Sequence, residues 1–131
     1  MKKVKVSVVS YLNSKPFIFG LQQSHIINDI DLSLDIPAVC AQKLLEDKVD
    51  IGLIPVATIP LLKEKYILSD YCISAIGKVA SVLLYSEVPL EKIEKVILDY
   101  QSRTSVQLVQ VLAKHFWKIK PAFEAGAITW I

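Results

Sequence analysis

The chain's 131 residues suffice for one domain of ordinary size, and with 53% hydrophobic and 21% charged residues it is too apolar to remain disordered. The formal charge is +2, with Lys and Glu interspersed as in "LKEKY" and "LEKIEK". There is no basic stripe, which argues against a nucleic-acid partner.

The N-terminal run "MKKVKVSVVSYLNSKP" opens with two lysines, but Lys5 interrupts it and polar residues end it after Leu12. No small-residue cleavage site follows, so it reads as a strand, Val4 to Ser10, and not as a signal peptide. No apolar stretch is long enough to span a membrane, and a cytoplasmic protein is expected. "SKPFIFGLQQ" predicts a short helix with Ser14 near its N-cap and Pro16 in its first turn. "DLSLDI" alternates, with Leu32, Leu34 and Ile36 on one face and Ser33 and Asp35 on the other. Pro37 opens a helix whose buried face is Ala38, Ala41, Leu44 and Leu45.

"DIGLIP" predicts a strand buried on both faces and stopped by Pro55. A turn and short helix interrupted by Pro60 follow. "DYCISAIGKVASVLLYS" predicts one or two strands broken near Gly77. "PLEKIE" is a short helix and "KVILD" a further strand. "SRTSVQLVQVLAKHFW" is the clearest helix, with Val109, Leu112, Ala113 and Phe116 on one face.

Strands alternating with helices predict an α/β fold with a mostly parallel sheet. The unit begun at "KVILD" has one strand and one helix, too little for an independent sheet. The chain is therefore expected to divide into a first lobe over 1–88 and the start of a second over 89–131, ending inside it.

In open α/β sheets, ligands bind beyond the carboxyl ends of the strands. Three polar clusters are expected at such ends: Ser10, Tyr11, Asn13 and Ser14; Gly77 to Ser81; and "DYQSRTS", Asp99 to Ser105. In the third, Ser102, Thr104 and Ser105 put hydroxyls at a helix mouth, where N–H groups are unpaired. Arg103 adds a fork matched to a carboxylate or phosphate. Anion binding and ordinary capping, with Arg103 solvated or paired to Asp99, both remain open. The lack of a Gly-rich phosphate loop favours a small carboxylate over a nucleotide.

The first cluster, taken alone, reads as a helix cap and turn, and Ser81 as a strand hydroxyl. His25 reads as a surface residue, and His115 as a cation near a helix end. Asp50 reads as a turn residue, and Trp117 and Trp130 as packing residues. Cys40 and Cys72 show no metal or disulfide spacing and read as small core residues in a reducing compartment. No triad, carboxylate pair or metal site emerges, and no cofactor is expected.

Together, "VSYLNSKPFIFGL", "DIGLIPVA", "DYCISAIGKVASVLLYS" and "LDYQSRTSVQLVQVL" resemble the chorismate dehydratases of the futalosine route to menaquinone. The resemblance covers about the first 115 residues, in the family's order. It implies a type II periplasmic-binding-protein fold, two α/β lobes with the ligand in the cleft between them, and a cytoplasmic lyase. The reaction implied is loss of water from chorismate to give 3-[(1-carboxyvinyl)oxy]benzoate, driven by aromatisation. The family is thought to use the substrate's own enolpyruvyl carboxylate as the base, which leaves the protein orientation and electrostatic stabilisation.

By the same resemblance, Asn13 and Ser81 act on the reacting region. Ser102, Arg103, Thr104 and Ser105 hold a carboxylate, and Ser10 and Tyr11 line the same wall. Family members are about twice as long, so the expectation is a chain truncated within the second lobe. Its activity as it stands is in question, because half a cleft neither excludes water nor holds both carboxylates well. The rivals are a non-catalytic small-carboxylate binding protein of the same fold, the sister enzyme acting on a later futalosine-derived intermediate, and an inactive fragment.

Overall fold

The computed structural model describes residues 2–126. The chain divides into two compact units, Met1–Ser74 and Ala75–Ile131. Both are α/β, and every strand pair is parallel among the described residues. Trp130 lies outside those residues, and so does the chain end.

The first unit is built on a three-stranded sheet of order β2-β1-β3, with β1 Val4–Val9, β2 Ile30–Asp35 and β3 Ile51–Gly52. Helix α1 spans Lys15–Gln23 and α2 spans Pro37–Leu45, each with a proline in its first turn. Proline fits there because its fixed φ suits a helix and its missing N–H would have no partner. The two faces of β1 differ. Val6 and Val8 pack with Ile18 of α1 and Ile30 of β2 to form the core, each such side chain contributing about 1.5–3 kcal/mol. The opposite face carries Ser7, level with Ser33 on one side and Gly52 on the other. It lies under α2, whose Cys40 and Ala41 are fully buried. A Cβ on Gly52 would meet Leu44 of that helix at 3.4 Å.

Several expectations need correction. β2 alternates as expected, and it is the polar face, Ser33 and Asp35, that is half-buried beneath α2, while Leu34 is 46% exposed. β3 is not buried on both faces. Among the described residues it is an edge strand, paired only to β1, with Ile51 38% exposed. No strand forms within Asp70–Ser86. This stretch is irregular, with bends at Ile76–Gly77 and a turn at Ala80–Ser81, and every residue in it is exposed. No neighbouring strand pairs with it, so strand propensity has nothing to act through. Cys72 accordingly is exposed and only Cys40 is a core residue.

The second unit holds β4, Lys95–Leu98, preceded by a single 3₁₀ turn at Leu90–Lys92 where a short helix is expected. Helix α3, Thr104–Val111, continues as wider π-type turns through Leu112–Trp117. Ala113 is its buried contact, while Phe116 is exposed, contrary to the expected apolar face. A strand absent from the sequence reading, β5 at Ala122–Ala125, pairs in parallel with β4 and completes a β-α-β unit.

Candidate functional site

β1 is the central strand of its sheet, and its carboxyl end carries the first cluster. The Ser10 N–H donates to the Asp35 carbonyl at 2.9 Å, prolonging the β1–β2 pairing by one residue. The chain then leaves the sheet in a 3₁₀ turn, Leu12–Ser14, closed by the Ser14 N–H on the Tyr11 carbonyl at 3.0 Å. Asn13 stands in this turn, exposed, with Ser10 and Tyr11 beside it. Such a turn, over the end of a central parallel strand, is where sheets of this kind hold ligands.

Ser14 occupies the N-cap position of α1, but its side chain makes no capping bond. Its backbone is already helical, φ −90° and ψ −9°, whereas a capping side chain needs an extended residue to reach the first-turn N–H groups. The expected cap is therefore one of position only.

Beneath this loop lies a polar network that sequence reading missed. Asp35 Oδ2 accepts from Ser7 Oγ at 2.8 Å, Ser33 Oγ at 2.9 Å and Lys43 Nζ at 2.6 Å. Burial on its own pushes the Asp35 carboxyl up, but the bonds from Lys43, Ser7 and Ser33 and the Lys43 charge outweigh it. The net position is below the ordinary value. Burial likewise pushes the Cys40 thiol up, and the Asp35 charge adds to this. The network joins β1, β2 and α2 beside the residue whose carbonyl receives Ser10. Its one signal in the sequence was a serine inside the apolar run of β1, matched to a Ser-x-Asp on β2. Asp50 plays a similar structural part: its Oδ2 accepts the Lys5 N–H at 2.8 Å and its own N–H donates to the Lys5 carbonyl at 2.9 Å.

The remaining candidates belong to the second unit. Ser81 lies in the exposed turn at 80–81, not on a strand. At the mouth of α3, Asp99 Oδ1 accepts the Gln101 N–H at 3.0 Å, and Ser102 Oγ accepts the Ser105 N–H at 3.1 Å. Ser102 is thus the capping side chain, and one helix-mouth donor is already taken. Arg103 is exposed, and Thr104 and Ser105 are half-buried.

A groove of about 910 Å³ in the first unit runs between the Val6/Val8 face and residues 61–69, with Phe17, Leu21 and Leu53 among its walls. It is mainly aliphatic, and none of the candidate residues lines it. Its chemistry suits apolar packing better than a dianion. Among the described residues, no helix is long and apolar enough to cross a membrane. A sequence model of a family described as menaquinone biosynthesis matches residues 4–128, which takes in all five strands and every candidate residue.

Proposed function

The chain belongs to the menaquinone biosynthesis family, and from that premise we propose that it is a chorismate dehydratase of the cytoplasm. The reaction removes the ring hydroxyl and a ring proton from chorismate as water, and the ring becomes aromatic in 3-[(1-carboxyvinyl)oxy]benzoate. The family match over residues 4–128 carries the reading. The gathering of Ser10, Tyr11 and Asn13 over the carboxyl end of the central strand supports it.

These residues include no carboxylate and no imidazole. As the resemblance to the chorismate dehydratases implies, the substrate's own enolpyruvyl carboxylate takes the proton, and the protein's part is alignment and charge stabilisation. Asn13 orients the reacting region through its amide, and Ser81 supplies a hydroxyl to it. Ser102, Arg103, Thr104 and Ser105 take a carboxylate, the Arg103 guanidinium contributing most because it can bind in two-pronged fashion. The periplasmic-binding-protein-like architecture is part of the same proposal; the parallel α/β units support it.

A residue set without carboxylate or imidazole also fits a protein that only captures a small carboxylate, and one experiment separates the two. Incubation with chorismate, followed by mass and ultraviolet absorbance, should show the aromatic enolpyruvyl ether accumulating. Binding without turnover would identify the capture protein, and neither would defeat both readings. With turnover in hand, Asn13→Ala should lower kcat more than it raises KM. Arg103→Ala should act mainly on KM.

A further inference from the structure

The two neighbouring strands β1 and β3 leave their sheet in the same way. Ser7 and Gly52 are level in the ladder, and the Leu53 N–H still donates to the Ser7 carbonyl at 2.9 Å before β3 leaves the sheet. Each strand then enters a 3₁₀ turn. The turn after β1 closes with the Ser14 N–H on the Tyr11 carbonyl at 3.0 Å, and the turn after β3 with the Thr58 N–H on the Pro55 carbonyl at 2.9 Å. Both closing residues carry a hydroxyl. Ser14 is 0% exposed and Thr58 2%, and among the described residues neither Ser14 Oγ nor Thr58 Oγ1 has a hydrogen-bond partner.

Buried hydroxyls without partners destabilise a fold, and nearly all buried polar groups avoid the condition. Ser14 stands at the N-cap position of α1, but its helical backbone keeps its side chain from capping. Alanine and valine would fill the two positions with no such penalty, so packing alone does not account for two such oxygens, each on the residue that closes the turn after its strand.

We propose that Ser14 and Thr58 are ligand-binding residues, whose hydroxyls donate to a carboxylate oxygen of the bound substrate. The inference rests on the dehydratase reading and extends its site beyond Asn13 to the loop after β3. The 3₁₀ turns supply the movement needed, since a short stretch with weak hydrogen-bond geometry can re-form at small cost. In the free protein the hydroxyls are shut in; as the substrate settles against Asn13 the turns open enough for both to reach it. Two donors with no acceptor of their own suit an anionic oxygen.

The test compares wild type with Thr58→Val, Ser14→Ala and Thr58→Ser, measuring chorismate binding by calorimetry and the ligand-free thermal midpoint. In Thr58→Val and Ser14→Ala the midpoint should hold or rise while chorismate binding weakens about ten- to a hundredfold. Thr58→Ser should restore most of the affinity. A Thr58→Val protein that binds chorismate as wild type does overturns the assignment. So does a fall in its ligand-free midpoint, which would give the hydroxyl a partner within the fold. If wild type binds no chorismate, the proposed function falls and this assignment with it; unaltered variants of a binding wild type remove this assignment alone.

Discussion

Asp35 shows how much one side chain can hold in place. Its carboxylate joins Ser7, Ser33 and Lys43, and its backbone carbonyl fixes Ser10, the first residue of the candidate loop. Because its folded pKa lies below the ordinary value, its contribution is present above the unfolded carboxylate pKa and lost as pH falls through the lower folded one. Urea midpoints measured from neutral to acid pH should therefore decline at the acid end, and Asp35→Asn should flatten that limb. At neutral pH the same variant should lose about 1–3 kcal/mol, since Lys43 keeps a half-buried ammonium without its carboxylate. Equal acid limbs in the two proteins would remove Asp35 from this role. The two cysteines give a second residue-scale prediction. Cys72 is exposed, whereas Cys40 is fully buried with its thiol pushed up by burial. Ellman's reagent should titrate one thiol quickly and the second only on unfolding; two fast thiols would place Cys40 outside the core.

At the scale of elements, the sequence was informative wherever local chemistry decides the outcome. Pro16 and Pro37 mark helix starts, and β1, β2 and β4 stand where apolar runs or alternation put them. What was not legible depends on partners. Strand propensity in "VASVLLY" does not form a strand where nothing pairs with it, and β5 exists because β4 offers an edge. The candidate site divides along the same line. Ser10, Tyr11 and Asn13 were readable as a strand-end cluster, but Thr58 was not, because nothing in "VATIP" marks a hydroxyl that the fold takes to 2% exposure. Two turn positions can be tested directly. α2 ends in a Schellman motif, with the Lys48 N–H on the Lys43 carbonyl at 2.9 Å and the Asp47 N–H on that of Leu44 at 3.2 Å. Asp47 takes the left-handed position at φ 53°, so Asp47→Gly should stabilise the protein by less than about 1 kcal/mol in urea titrations. Gly126 stands at the opposite extreme. A Cβ there would lie 2.7 Å from the Leu98 carbonyl oxygen, the atom that accepts the Gly126 N–H. Gly126→Ala should loosen the β4–β5 ladder at a cost of about 1–3 kcal/mol, seen as faster amide exchange across 95–98.

On the scale of the whole molecule, the balance between buried and exposed apolar surface governs behaviour in solution. Every residue from 63 to 89 is exposed, yet the stretch includes Tyr66, Ile67, Leu68, Tyr71, Ile76, Leu83 and Tyr85, several of them more than three-quarters accessible. Exposed apolar side chains in such number drive association, and a segment that belongs to no sheet is open to strand pairing with another chain. A net charge of +2 supplies little repulsion to oppose it. The 131-residue chain should therefore bind a hydrophobic dye in its native state and show a light-scattering mass that rises with protein concentration. Ile76→Lys with Tyr85→Lys should reduce both signals, because the two sites carry no buried contact and gain charge where pairing would occur. The far-ultraviolet dichroism should remain that of wild type, which separates lost association from lost folding. A chain that stays monomeric at high concentration and ignores the dye would show that the stretch from 63 to 89 covers its own apolar side chains in solution.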